Sequence, residues 1–311
     1  MGLQRLQWLQ ERGGLPVSNR VFAEYRIVTD ATADLSVPML DGVPQVDIIP
    51  MEVSINDQSY CYGPQGNLTV SSFYRLQREG HFATTTQINP QVYRKHFEEI
   101  LKRGYDVLYL CFSSGMSGTI NAARMCMEEL KKEYPQRNLI CMDTLCASVG
   151  EGFLVHEAAR KQREGLSLFE LADWIETYRL KVCHWFTVDT FTHLKHGGRV
   201  SAAAAAVGGV LNIKPLLHVD EAGLLKVAQK PRGQRLAIRA QLKCMEDGWQ
   251  PEISNLVVVG GADNPSGMAM LSDAIAGRFP EANILHADIG PIIGAHTGPG
   301  MLAVIYWGSN R

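Results

Sequence analysis

The sequence predicts an α/β protein of two domains, an N-terminal α/β/α domain on a parallel sheet and a C-terminal domain on a mixed sheet. Three observations predict it. In the first half, apolar strand-like runs alternate with amphipathic helical segments, the pattern of parallel strands joined by right-handed crossovers. After about residue 180 a hairpin signal, Asp220-Glu-Ala-Gly223, interrupts that alternation. The 311 residues, 46% apolar and 20% charged, have a globular balance and suffice for two buried cores. The expected division is a leader over 1–24, one domain over 25–180 and a second over 181–311.

In chain order, Leu3, Leu6 and Leu9 around Trp8 suggest one short amphipathic helix in the leader, ending at Gly13-Gly14. Tyr25 to Thr29 reads as a buried strand, followed by a loop from Asp30 to Ser36. Gln45 to Ile55 is β-rich and Asn56-Asp57 marks a turn. Ser71 is placed as the cap of a short helix reaching Glu79. Pro90 falls in the first turn of a helix that Gly104 stops. Asp106 to Phe112 is nearly all apolar, as in a strand covered on both faces. A Ser/Gly loop leads to a helix over 119–133, a strand over 138–142 and a helix over 146–163. Ser167 and Glu170 have capping-box spacing.

The second half continues with a strand over 182–188, the Gly197-Gly198-Arg199 turn and an Ala-rich helix over 202–206. The stretches 214–219 and 224–228 flank the hairpin turn. A helix from Gln234, a strand over 255–259, a helix over 267–278 and strands near 283–288 and 301–307 complete the pattern.

Net charge is −2 with a pI near 6.5, without the excess of basic residues that marks a nucleic-acid binder. No apolar run approaches the ~20 residues that cross a bilayer, so stable membrane insertion is not expected. Met1-Gly2 is a myristoylation-like start, but Leu6 stands where Ser or Thr is required. No basic n-region precedes a long apolar stretch, so no signal peptide is expected. The seven cysteines form no CxxC pair, which fits reduced thiols in a cytoplasmic protein.

Four clusters could carry chemistry. Ser113-Ser-Gly-Met-Ser-Gly-Thr119 joins a strand to a helix, where free N–H groups and the helix dipole favour an anion. Gly115 and Gly118 let a ligand approach the backbone beside Ser114, while Ser117 and Thr119 add hydroxyls. A plain capped helix start is the simpler reading. No Lys follows, so this is no P-loop, and Thr119 breaks the G-x-S-x-G elbow of hydrolases. Thr84-Thr-Thr-Gln-Ile-Asn-Pro90 holds more hydroxyls than a helix cap needs. Gly294-Ala-His-Thr-Gly-Pro-Gly300 presents His296 from a backbone shaped by three glycines. Gly197-Gly-Arg199 is the fourth, ordinarily a turn with a solvated Arg. Cys183, His184, His193 and His196 lie close in sequence but fit no zinc spacing, so no metal is expected.

Together these segments resemble the DegV family of fatty-acid-binding proteins. The matching pieces are Val28-Thr-Asp-Ala-Thr-Ala-Asp-Leu35, Thr85-Thr-Gln-Ile-Asn-Pro90, the 113–119 loop, Gly197-Gly-Arg199, Lys214-Pro215 and His296-Thr-Gly-Pro-Gly300, in the family's order. The resemblance covers about 25–307. It departs at Ala31, where the family usually has Ser and the change is expected to loosen a loop hydrogen bond, and at Ile88, where it usually has Pro. The resemblance implies a carrier that performs no catalysis and needs no cofactor. A long-chain fatty acid would lie in a tunnel between the domains, its carboxylate bound by the hydroxyls of Thr85 and Ser117, with His296 and Arg199 beside it. It further implies a separate fatty-acid kinase as partner, with Arg232 on the surface facing it. Burying the ~14 methylenes of a C16 chain at ~0.8 kcal/mol each gives roughly 11 kcal/mol gross. Charge-assisted hydrogen bonds add ~1.5–3 kcal/mol apiece, so the tail sets tightness and the head group sets orientation.

Three other readings compete. Ser117, Asp263 and His296 occur in the order of an α/β-hydrolase triad acting on acyl esters. The family's fold is similar to a domain of dihydroxyacetone kinases, but the sequence has no Walker A motif or clear acidic trio for Mg²⁺. A binder of some other small acid is the third.

Overall fold

The computed structural model describes residues 24–200 and 212–311; the expected leader helix and the Ala-rich helix over 202–206 lie outside the described residues. The first half runs β1 (Tyr25–Asp30), a 3-10 turn (Ala31–Ala33), α1 (Val37–Leu40), β2 (Val46–Ile49), β3 (Met51–Ile55) and β4 (Gln58–Tyr62). Next come α2 (Val70–Arg78), β5 (Ala83–Thr85), α3 (Pro90–Lys102), β6 (Asp106–Cys111) and α4 (Thr119–Glu133). β7 (Leu139–Asp143), α5 (Val149–Arg163) and α6 (Leu168–Tyr178) close it. The second half holds β8 (Val182–Thr187), α7 (Thr192–His196), β9 (Leu216–Val219), β10 (Leu225–Gln229) and α8 (Gln234–Gly248). It ends with β11 (Leu256–Gly261), α9 (Pro265–Arg278), β12 (Asn283–Asp288), α10 (Pro291–Thr297) and β13 (Leu302–Trp307).

These strands build a four-stranded parallel sheet, β2-β1-β6-β7, and a six-stranded sheet, β10-β9-β8-β13-β11-β12. The larger sheet is antiparallel except where β11 lies parallel to β12, so the mixed character expected of the second half is present. A third, antiparallel sheet, β4-β3-β5, was not expected. Its origin is Pro50, which has no N–H for a ladder and divides the β-rich stretch 45–55. β2 stays in the parallel sheet while β3 turns away to pair with β4 and β5.

Local signals mostly place the helices. The Ser167–Glu170 capping box forms as read. The cap of α2 is Thr69, not Ser71, because Thr69 and Ser72 satisfy each other's backbone N–H groups. α5 begins at Val149 rather than Cys146, since Ser148 turns to a positive φ of 53° just before it.

One helix ties the two main sheets together. α5 is buried on every side from Val149 to Ala159 and packs against β1 as well as β8, β11 and β13. Its glycines make that possible. A Cβ on Gly152 would stand 2.2 Å from the Ala33 carbonyl oxygen, and one on Gly150 would stand 2.1 Å from His184 Nε2. A single core therefore runs from β1 through α5 to Trp307. A smaller core on the other face of the six-stranded sheet lies beneath α8 and α9.

Candidate ligand-binding site

The main cavity lies between the two sheets, at the β5 edge of the small one. Its walls are mostly apolar, from Met51, Phe112, Val149, Phe186, Leu194 and Ile305 among others. About 930 Å³ is free of protein atoms, the open mouth included. Thr85, Ser117, Arg199 and His296 all border it, so the structure gathers the four head-group candidates around one space.

Each is delivered by a different element. Thr85 closes β5, where pairing with Val53 holds its backbone. Ile88 is buried in the core, so the residue that replaces the usual proline packs without disturbing that pairing. Asn89 caps α3 with its side chain, Pro90 taking the first helical position. His296 sits in the last turn of α10, with Nε2 2.9 Å from Thr85 Oγ1. Its other nitrogen, Nδ1, has no partner and packs on Gly197, where a Cβ would come within 2.2 Å. Burial, then the charges of Arg199 and His196, push the imidazole down to about 4, so the ring is neutral at pH 7. Arg199 is exposed at the mouth and its guanidinium donates to the Gly197 carbonyl. Phe82, half-exposed, stacks on His196 at 4.6 Å beside it.

The 113–119 loop is used differently from the expectation. The Ser114 N–H is taken by Asp143 Oδ1 at 3.1 Å and the Gly115 N–H by Ser113 Oγ at 3.2 Å. Neither residue borders the cavity. A Cβ on Gly115 would strike the Ala222 carbonyl oxygen at 2.6 Å, so this glycine serves packing against the β9–β10 hairpin. Gly118 makes room for Gln87, linking this loop to the threonine motif. Ser117 and Thr119 are the hydroxyl residues of this loop that border the cavity, and Ser117 Oγ accepts from the Thr119 N–H at 3.3 Å. Arg232 is exposed, bridged to Ile213, and is not among the residues that line the cavity.

The hydrolase triad is not assembled. Asp263 lies at the surface, its carboxylate held by Arg78 Nε at 2.5 Å, while the His296 nitrogen that would need a carboxylate has none. Among the described residues no His, Cys, Asp and Glu group could hold a metal ion. His184 donates from Nδ1 to the Val182 carbonyl and packs under Gly150 as a core residue. No helix among the described residues is long and apolar enough to cross a membrane.

Thr32 and Gln87 stand inside quoted motifs without a role of their own, His184 is weighed only for a metal, and Ser148 is not singled out, although all four border the cavity. Single polar residues carry no periodic signal of the wall they face; only the folded wall reveals them.

A family model described as "Uncharacterised protein, DegV family" matches residues 24–308. The chain belongs to the DegV family. A DegV domain-containing protein of Clostridium perfringens is 35% identical over 288 residues, covering 93% of this chain and 99% of its own. Among solved structures, a DegV family protein of Thermus thermophilus, described as fatty acid binding, is 28% identical with a TM-score of 0.80 over 92% of this chain and all of its own. The fatty acid kinase B3 protein of Streptococcus pneumoniae, solved with linoleic acid, gives a TM-score of 0.81 over 92% of this chain and 100% of its own. At 20% identity the latter likeness is one of fold.

Proposed function

We propose that this DegV protein carries a long-chain fatty acid in the main cavity and catalyses no reaction alone. The observation that carries the reading is a chiefly apolar cavity with Thr85, Ser117, His296 and Arg199 on its border. The Thermus thermophilus relative's fatty acid binding supports the choice of ligand.

The head-group chemistry follows from the proton inventory. When neutral His296 donates from Nε2 to Thr85 Oγ1, the Thr85 hydroxyl proton is left free for a carboxylate oxygen. Ser117, whose oxygen accepts from the Thr119 N–H, likewise keeps its proton for the ligand. Arg199 at the mouth adds a positive charge that stabilises the bound carboxylate, while the apolar walls take the tail. The carboxyl end then faces the mouth, where a separate fatty-acid kinase reaches it across the surface that carries Arg232.

The test is native mass spectrometry of the purified protein, followed by denaturation and organic extraction. A stoichiometric fatty acid, lost or much reduced in the Thr85→Ala/Ser117→Ala double variant, supports the carrier reading and the head-group position. An empty protein that takes up no added C14–C18 acid removes it.

A further inference from the structure

Behind the cavity wall lies a group of acids that the head-group site does not use. Asp30, at the end of β1, and Glu151, in the first turn of α5, are both fully buried. The hydroxyl of Thr32 lies between them, 2.5 Å from Asp30 Oδ1 and 2.8 Å from Glu151 Oε2. A hydroxyl has one proton to give, so it satisfies one carboxylate only. The second carboxyl keeps a short contact with the same oxygen only by carrying a proton and donating it. No Lys, Arg or His side chain among the described residues bonds to either acid. The titratable groups around them are Asp34, Tyr109 and Cys111 of β6, Tyr93 of α3, and Cys146 ahead of α5, none of them cationic.

Asp30 also ends a chain of hydroxyls. Tyr109 donates to Asp30 Oδ2 at 2.6 Å, Tyr93 lies 3.0 Å from the Tyr109 oxygen, and Thr119 Oγ1 lies 3.0 Å from the Tyr93 oxygen. With Tyr109 giving its proton to Asp30, Tyr93 must donate to Tyr109 and Thr119 to Tyr93. The lone pairs of Thr119 are then left for a donor, and Thr119 borders the cavity two residues from Ser117. A ligand arriving as a protonated acid is such a donor.

We propose that Asp30 and Glu151 share one proton through Thr32 and accept a second from an incoming fatty acid along Thr119, Tyr93 and Tyr109. This rests on the function proposed above. In the step, the acid's O–H proton passes to Thr119, and each hydroxyl passes its own proton one place onward. Asp30 becomes a neutral carboxyl, the ligand a carboxylate, and no charge is gained or lost. Burial raises both carboxyls above their ordinary range, as a proton store requires. Asp30 also borders a second pocket with Asp34, Tyr62 and Gly63, a route by which the proton returns to solvent.

Difference infrared spectroscopy reads the store directly. The ligand-free protein at neutral pH is expected to give a protonated-carboxyl C=O band that disappears in Glu151→Gln and shifts in Tyr109→Phe. Absence of that band overturns the proposal. Loading with fatty acid ¹³C-labelled at its carboxyl, delivered from an apolar phase, should enlarge the protein band while the label appears as carboxylate. In Tyr93→Phe, which keeps the ring, the label should bind with its proton retained and the protein band unchanged. A full gain in that variant overturns the relay. A protein that shows the band yet takes up no fatty acid removes the function proposed above, and the relay with it.

Discussion

At the scale of single residues, the Thr85–His296 contact is the most exposed to test. If the proposed head-group contact holds, replacing Thr85 by Ala removes one charge-assisted hydrogen bond, worth roughly 1.5–3 kcal/mol, so fatty-acid affinity should fall about 10- to 100-fold, measured by displacement of a fluorescent fatty acid. His296 and Asp34 should give opposite pH slopes in stability. The folded pKa of His296 is pushed down to about 4, so the unfolded chain binds more protons between there and the ordinary value near 6.5. Its contribution is therefore present above that window and lost as pH falls through it; His296→Gln should flatten the acid limb of melting temperature against pH. Asp34 is pushed up to about 8 by burial, with Ser148 donating to one oxygen and the other lying against Gly290 without a well-formed bond. The folded protein there holds the extra proton, so stability falls as pH rises from about 4 toward 8, and Asp34→Asn should remove that decline. His296 was legible because glycines and a proline crowd around it. Glu151 was not, since an acid inside a helical stretch reads as solvated until the helix proves buried on every side.

At the scale of elements, α5 carries the most constraint. Gly152 lets the 3-10 turn after β1 approach, and Gly152→Ala should destabilise the protein by about 1–3 kcal/mol or more through overpacking, read as a lowered denaturation midpoint with unchanged slope. The long elements were plain in the sequence: α3, α4 and the β9–β10 hairpin fall where periodicity, Pro90 and Gly104, and the Asp220–Gly223 turn put them. The short ones were hidden. β5 has three residues and α10 seven, too few for a period to repeat, yet they deliver Thr85 and His296. The site was thus readable as motifs and unreadable as geometry.

At the scale of the whole molecule, a ligand that joins both sheets should stabilise them together. Protein stripped of fatty acid is expected to melt lower, and re-addition at about 100 times Kd should restore roughly 2.7 kcal/mol, followed by calorimetry as a rise in melting temperature. The order of strands has another consequence, for synthesis. The parallel sheet is complete in chain order by Asp143 and can form while translation continues. The six-stranded sheet cannot, because β13, its last strand in chain order, is the one that sits between β8 and β11. Until it leaves the ribosome, two half-sheets wait with facing edges unpaired. The growing chain is most open to chaperone capture or misassembly in that interval.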